Sequence, residues 1–112
     1  MALVGAQIKR GSAEFAILTL LASQPLHGYE IAKRIEQQTG GVLRFDMASL
    51  YPMLYRFERK AWVKGEWQTL PNGRRRRCYR LTPSGRKQIA PLRAEWRAFF
   101  HALQSITGFQ NA

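Results

Sequence analysis

The sequence predicts an α+β domain that is mostly helical. Apolar residues recur at three- and four-residue spacing in four stretches, which is the pattern of helices that bury one face. Between the third and fourth stretches the pattern changes to alternation on both sides of a loop at 70–73, which is typical of a two-stranded hairpin. The chain has 112 residues, of which 46% are hydrophobic, and this is enough for one domain with one core.

The charge of the chain indicates a polyanionic partner. It has 18 Lys and Arg against 7 Asp and Glu, a formal net charge of +11. This balance favours nucleic acid, or less simply an anionic membrane surface, and charge alone does not choose between them. No apolar run approaches the ~20 residues of a membrane span, and residues 1–10 lack the apolar middle of a signal peptide. We therefore expect a cytoplasmic protein without a membrane-spanning segment.

Few residues are available for metal binding or catalysis. Cys78 is the single cysteine, and with only His27 and His101 beside it no four-ligand zinc cluster can be assembled from Cys and His. The carboxylates are scattered among cations and supply no set of nucleophile, base and orienting group. We expect no cofactor, no structural metal and no enzymatic activity.

The first helical stretch is apolar on nearly every face. Ser12 can cap a helix that runs to about Ser23, after a flexible arm at residues 1–11. The apolar residues of this helix are Phe15, Ala16, Ile17, Leu18, Leu20, Leu21 and Ala22. Such a helix must be covered on two sides, so we expect one side to face the core and the other to face a partner subunit.

The second and third helical stretches follow each other closely. HGYEIAKRIEQQT at 27–39 places apolar residues on one face and ends at a glycine pair at 40–41, which supplies a left-handed stop. The third helix, at 46–62, has a core face of Leu50, Met53, Leu54 and Phe57. Because Pro52 has no N–H and fits only near a helix start, we expect Ser49 as the N-cap and Asp46 as the cap of a looser preceding turn. The two helices make a helix-turn-helix pattern.

The side of the third helix opposite its core face carries hydroxyls, aromatic rings and cations. These residues are Ser49, Tyr51, Tyr55, Arg56, Arg59 and Lys60. Such side chains reach phosphates and base edges when a helix enters the major groove, so the stretch is predicted to be a DNA recognition helix. The alternative is a surface helix with a solvated basic face.

The hairpin after the third helix pairs VKGEWQ with RRRRCYRL. Tyr79 and Leu81 can point inward on the same side, while the tip carries four consecutive arginines at 74–77. After a helix-turn-helix this hairpin is predicted to be a DNA-contacting wing, with Asn72, Arg74, Arg75 and Arg77 as its contacts. The alternative is an edge strand that charge protects from aggregation.

The last stretch predicts a long helix at 82–107. Thr82 and Pro83 form a cap and first-turn proline, and an aromatic stripe continues from Ile89 through Trp96 to Ile106. Pro91 falls inside this stretch and should kink the helix or restart it with a fresh first turn. The stripe is too aromatic to remain exposed, so we expect it to form a twofold dimer together with the first helix.

The motifs HGYEI, SLYPMLYRFE and RRRCYRLTPSG occur in an order and spacing that resemble the PadR-type transcriptional regulators, over residues 12–106. The resemblance implies a winged helix-turn-helix domain at 12–81 and a dimerisation helix at 82–107. It further implies a homodimeric repressor that binds a double-stranded DNA operator, in the short subfamily without a separate C-terminal domain. Pro91 departs from the usual unbroken dimerisation helix, and Phe57 stands where leucine is common.

Members of this family often respond to small aromatic compounds, and Trp96 matches a tryptophan that can stack planar ligands in short members. The resemblance therefore implies an effector site at Trp96, Phe99 and Phe100, with dimer packing as the alternative role. His27, Gly28 and Tyr29 match a family motif whose spacing indicates roles in the turn and core. Cys78 is expected to be inert, with a thiol sensor as the alternative.

A general nucleic-acid-binding protein, acting on RNA or the nucleoid, is the other functional class that the charge and aromatic residues allow. Such a protein has no evident use for a recognition helix presented at a dimer axis. A sequence-specific regulator protects a twofold site on DNA, whereas a general protein coats it, so a footprint separates the two.

Overall fold

The computed structural model describes residues 6–109, with side chains from residue 11 onward. The described elements are α1 (Ala6–Ser23), β1 (Leu26–His27), α2 (Gly28–Gln38), α3 (Met47–Arg59), β2 (Val63–Thr69), β3 (Arg75–Leu81), α4 (Pro83–Arg86) and α5 (Ile89–Thr107). The predicted α+β class with mostly helical content is confirmed. The strands form an antiparallel sheet in the order β1-β3-β2, so the helix-turn-helix of α2 and α3 is followed by a wing.

The first helix begins earlier than the sequence predicts. α1 starts at Ala6, so Ser12 is not its N-cap, and the part of the predicted arm from residue 6 to residue 11 is helical. Residues 1–5 lie outside the described part of the chain. A Cβ built on Gly11 would lie 3.7 Å from Trp96 of α5, which is ordinary van der Waals distance. Packing on α5 therefore supports the helix at a glycine that local propensity disfavours.

The third helix begins at Met47 and its N-cap is Asp46, whose carboxylate accepts a hydrogen bond of 2.8 Å from the Ser49 backbone N–H. The prediction of Ser49 as the cap is therefore wrong. Pro52 lies inside the helix, where it removes the bond to the carbonyl of Ala48. Ala48 and Pro52 are both exposed, so water can reach the region of the missing bond.

The sheet contains a strand that the sequence pattern does not reveal. β1 has two residues and pairs with β3, with Leu26 opposite Tyr79 and His27 opposite Cys78. A strand of two residues shows no alternation, so only the tertiary pairing identifies it. On β3, Tyr79 is fully buried and Leu81 packs against the core, as predicted.

The predicted C-terminal helix at 82–107 is divided in two. Thr82 caps α4 by accepting a 3.0 Å hydrogen bond from the Gly85 N–H, and α4 ends at Arg86. α5 then starts at Ile89, which makes Pro91 its third residue. The first turn of a helix has no intrahelical acceptors for its N–H groups, so the proline costs no hydrogen bond there. The sequence predicts that Pro91 either kinks the helix or restarts it, and the structure shows the restart, with α5 as a new helix.

The core lies between α1, α2, α3 and the inner side of the sheet. Its fully buried large side chains are Ile17, Leu18, Ile31, Leu50, Leu54, Phe57 and Tyr79. On α1, Ala13, Ile17, Leu18 and Leu21 are buried in this core, whereas Phe15, Ala16, Leu20 and Ala22 are only partly buried against it. The core is thus built from the predicted inner faces of α1, α2 and α3, together with Tyr79 of β3.

Candidate nucleic-acid interface

The exposed face of α3 is centred on a stripe at i, i+4, i+7 and i+11 spacing. It consists of Ala48, Pro52, Tyr55 and Arg59, all of which are exposed. Of the predicted contact residues, Ser49 and Lys60 are also exposed beside this stripe. Sequence reasoning missed Ala48 and Pro52 because they carry no polar group, although helical spacing from Tyr55 would have located them.

Tyr51 lies at one edge of this face and is partly covered by α2. A Cβ built on Gly28 would lie 3.0 Å from the Tyr51 ring and 3.2 Å from the methyl group of Met47. Gly28 therefore permits the close approach of α2 to α3, which is the structural role predicted for it. The Tyr51 and Tyr55 rings stack with their centroids 6.1 Å apart, so Tyr51 supports the more exposed ring.

Arg56 lies at the opposite edge of α3 and is turned toward α1. Its Nη2 is 3.9 Å from Oε2 of Glu14, and its guanidinium carbon lies 5.6 Å from the centroid of the Phe57 ring. The Nε atom is buried and has no hydrogen-bond partner among the described residues. Arg56 is therefore at the rim of the exposed face of α3 and not at its centre.

The wing has two chemically different sides because strand residues alternate. The side that continues from the core carries Trp67, Thr69, Arg75 and Arg77, since Trp67 pairs with Arg77 and Thr69 pairs with Arg75. On the opposite side Arg76 donates a 3.2 Å hydrogen bond to Gln68, and Arg80 pairs with Glu66 at 3.2 Å. Consecutive arginines of β3 therefore face in opposite directions.

The wing tip is an ordered turn from Leu70 to Arg74. The Leu70 N–H donates to the Arg74 carbonyl at 2.7 Å, and the Asn72 side chain accepts from the Arg74 N–H at 2.9 Å. Gly73 has φ +84°, a left-handed conformation that favours glycine. Asn72 thus shapes the turn, while the Arg74 side chain is exposed.

Arg77 connects the wing to α3 through a bidentate ion pair. Its Nη2 lies 2.7 Å from Oε2 of Glu58 and its Nε lies 3.3 Å from Oε1, and the two side chains are 22% and 23% exposed. The hydrogen bond to Glu58 raises the pKa of Arg77. A Cβ on Gly65 would come within 2.6 Å of Arg77 Nε, so the glycine makes room for the guanidinium to cross β2. This arginine holds the wing against α3.

Trp67 is a surface feature that sequence reasoning missed. Its side chain is 58% exposed, with the Arg75 and Arg77 guanidinium carbons 4.8 Å and 5.3 Å from the ring centroid. Alternation from Val63 would have placed it on the inner side of β2, beyond the end of the core.

The HGY motif divides into two structural residues and one exposed residue. His27 is the N-cap of α2, and its Nδ1 accepts a 3.4 Å hydrogen bond from the Glu30 N–H. Burial lowers the pKa of His27, and the positive charge of Arg76 lowers it further by a smaller amount. The prediction of a core role is wrong for Tyr29, which is exposed, although its ring stacks on His27 at the start of α2.

The predicted effector residues form one aromatic cluster on α5. The Trp96 ring centroid lies 5.7 Å from that of Phe99 and 6.0 Å from that of Phe100. Trp96 is half-buried against α1, whereas both phenylalanines are exposed. Phe15, Arg93, Arg97 and His101 line an open cleft beside this cluster.

Cys78 is half-buried on β3, and burial raises the pKa of its thiol more than Arg76 lowers it. The environment of Cys78 therefore favours the protonated thiol. No group of three or more His, Cys, Asp or Glu side chains within the described residues could hold a metal ion. Between residues 6 and 109, no helix has the length and apolar character needed to cross a membrane.

The sequence of the chain is similar to those of known transcriptional regulators. Residues 17–91 match the model of the transcriptional regulator PadR-like family. The chain is 30% identical over 105 residues to the transcriptional regulator Rv3488 of Mycobacterium tuberculosis, covering 94% of this chain and 92% of that protein. It is also 30% identical over 94 residues to an uncharacterized protein X of Lysinibacillus sphaericus, covering 84% and 86%.

Solved structures show the same fold. A transcriptional regulator from Clostridium thermocellum superposes with a TM-score of 0.83 at 27% identity, covering 91% of this chain and 99% of that one. A PadR family regulator from Clostridium difficile gives a TM-score of 0.72 at 25% identity, covering 84% and 96%. The family model spans well over half of the chain, and the winged helix architecture is shared. The chain therefore belongs to the PadR-like family of transcriptional regulators.

Proposed function

We propose that this protein is a homodimeric repressor that binds a twofold-symmetric DNA operator and is released from it by a small aromatic effector. The observation that carries the DNA-binding role is the contact between α3 and the inner side of the wing. The Glu58–Arg77 ion pair joins these two elements, so the exposed face of α3 and the cation Arg75 belong to one surface. Family membership supports DNA-binding regulation.

The contact residues divide by chemistry and position. Ser49, Tyr55 and Arg59 are proposed to enter the major groove, because they lie on or beside the centre of the exposed α3 face. Arg74 and Arg75 of the wing, with Lys60 at the end of α3, are proposed to meet phosphates. Four residues are proposed to have lesser roles. Tyr51 and Arg56 are partly covered at the edges of α3, and Arg77 is held in the ion pair. Asn72 is exposed, but its side chain is used in the wing turn.

The dimer is proposed to form through α1 and α5. Beyond Leu92, the apolar stripe of α5 leaves the core of its own subunit, and its exposed residues are Phe99, Phe100, Leu103 and Ile106. On α1, Phe15, Ala16 and Leu20 line an open groove that has apolar walls. A second copy would cover both surfaces by twofold symmetry, since an isologous interface uses the same patch on each subunit.

The effector is proposed to bind beside the aromatic cluster of α5. The Trp96 ring is only half-buried, and the cleft next to it contains Phe100 and two arginines, Arg93 and Arg97. Such a site would stack a planar ring and attract an acidic group on it. Titration of the protein with phenolic acids, read by the fluorescence of its tryptophans, tests this proposal. If Trp96→Phe leaves the measured affinity and the fluorescence response unchanged, the site lies elsewhere.

The experiment that tests the operator is the sequencing of genomic DNA fragments retained by the purified protein, followed by a footprint of the enriched sequence. We expect an inverted repeat whose half-sites are separated by about one helical turn, ~10 bp, or a multiple of it. A footprint without dyad symmetry would contradict the dimeric mode of binding. Uniform coverage of unrelated fragments would instead support a general nucleic-acid-binding protein.

A further inference from the structure

We propose that Trp67 of the wing is itself a DNA contact, whose indole packs against the sugar edge of the minor groove while Arg75, held over the same ring, meets the adjacent phosphates. This inference rests on the proposed DNA-binding function. It adds an apolar contact to a surface whose affinity for DNA would otherwise be attributed to charge alone.

The strand register places Trp67 on the side of the wing that faces the recognition helix. Val63 and Tyr79, on the same side at the base of the hairpin, are buried in the core. Arg77, directly opposite Trp67, reaches Glu58 in the last turn of α3. The indole therefore continues the inner side of the sheet past the point where the core ends and projects beside α3.

The indole is held in place before any ligand binds. Arg75 and Arg77 both lie over the Trp67 ring, and Arg77 is itself anchored by two hydrogen bonds to Glu58. Stacked cations and an anchored neighbour restrict the rotamers of the tryptophan, so little conformational freedom remains to be lost on binding. Arg75 is the exposed member of the pair, so its guanidinium is accessible to an anion from its position over the ring.

The chemistry of this face fits the minor groove. The groove walls are deoxyribose rings, which accept apolar contact, and phosphates line both rims. A ring with a guanidinium stacked on it offers an apolar surface and a cation at one position, and narrow minor grooves attract arginine through their negative potential. The major groove suits α3. Because the Glu58–Arg77 pair fixes the wing beside α3, a neighbouring minor groove would lie under Trp67.

The first test compares salt dependence among wing variants of the full-length protein. Binding of operator duplex is measured by fluorescence anisotropy at several salt concentrations for Trp67→Ala, Trp67→Phe and Arg75→Ala. Trp67→Ala should weaken binding about tenfold, ~1.4 kcal/mol, without changing the salt slope, because an apolar contact releases no counterion. Trp67→Phe should retain most of the affinity. Arg75→Ala should lower the slope by about one.

Arg76→Ala is the matched control, because it removes the same charge from the adjacent position but on the opposite side of the wing, where Arg76 bonds to Gln68. Its effect on affinity should be clearly smaller than that of Arg75→Ala. Equal losses of affinity would show that DNA binding does not distinguish between the two sides of the wing. A Trp67→Ala variant with a reduced salt slope would show that the ring only supports the arginine. Either result would overturn the inference.

A second measurement places the contact directly. The protein is labelled with 5-fluorotryptophan, and Trp67→Phe identifies the Trp67 resonance among those of the three tryptophans. Addition of operator should shift the Trp67 fluorine resonance and leave that of Trp96 on α5 much less affected. If wild-type protein binds the operator but the Trp67 resonance and the affinity of Trp67→Ala do not change, the inference fails and the proposed function stands. If wild-type protein binds no duplex DNA, the proposed function itself fails.

Discussion

The helices α3 and α5 are both amphipathic, but they use their apolar stripes differently. On α3 the stripe of Leu50, Leu54 and Phe57 is fully buried in the subunit's own core. On α5 only Ile89 is buried, and the apolar residues of the stripe from Phe99 onward are exposed, with Ile106 at 84%. One small core is filled by α1, α2, α3 and the sheet, and it leaves the far end of α5 uncovered. The same sequence pattern thus produces a buried, fold-stabilising face in one helix and an exposed stripe in the other, and we propose that the exposed stripe is an association surface.

The largest expected effect comes from Phe57→Ala, which removes a fully buried ring from α3. The loss of buried surface and the resulting cavity should lower the free energy of unfolding by about 3 to 5 kcal/mol. Urea denaturation followed by circular dichroism measures this change. A loss below ~1 kcal/mol would mean that α3 is not anchored by its apolar stripe.

Ile106→Asp tests the proposed role of α5 in association. A charge in an apolar interface is strongly disfavoured, so the dimer dissociation constant should rise at least about thirtyfold, ~2 kcal/mol. Sedimentation equilibrium over a concentration series measures the constant. Ser105→Asp is the control, since it adds the same charge to the side of α5 that lies opposite the apolar stripe and should leave the dimer intact. If both variants, or neither, dissociate, the stripe is not the interface.

Trp96→Ala removes a ring that packs within its own subunit and also belongs to the exposed stripe of α5. The ring lies against α1 at Gly11 and forms the aromatic cluster with Phe99 and Phe100. We expect weaker dimerisation, of about tenfold, together with loss of aromatic effector binding. Sedimentation and ligand titration of the same sample separate the two effects. Unchanged mass and unchanged ligand affinity would show that Trp96 serves neither role.

The smallest expected effect is that of Glu58→Gln, which breaks the ion pair at the polar edge of α3. Because both side chains are partly exposed, the free energy of unfolding should fall by only about 1 kcal/mol. The variant should nevertheless weaken operator binding, since the wing is less firmly held beside α3. The exchange Glu58→Arg with Arg77→Glu restores the pair with reversed charge and should recover stability in part. If the single variant binds operator like wild type, the ion pair does not position the wing.

The sequence by itself determined the order of the long helices and the hairpin, and it determined the inner faces of the helices. Periodicity located the buried residues of α3, such as Leu50 and Phe57, and alternation located Tyr79 on the inner side of β3. The family motifs then identified the winged helix-turn-helix arrangement and the class of regulator. These features are readable because each depends on spacing along one segment, which burial on one face imposes.

The tertiary structure alone decided which polar residues are available on the surface. Arg75 and Arg77 are two residues apart on one strand and look equivalent in sequence, yet Arg77 is bound to Glu58, nineteen positions earlier, and Arg75 is exposed. Arg56 is likewise drawn toward Glu14 of α1, and Trp67 becomes a surface ring only because the core ends before it. Long-range partners, the start of α1 at Ala6 and the two-residue strand β1 leave no local pattern, because they arise from contacts between segments that sequence spacing does not encode.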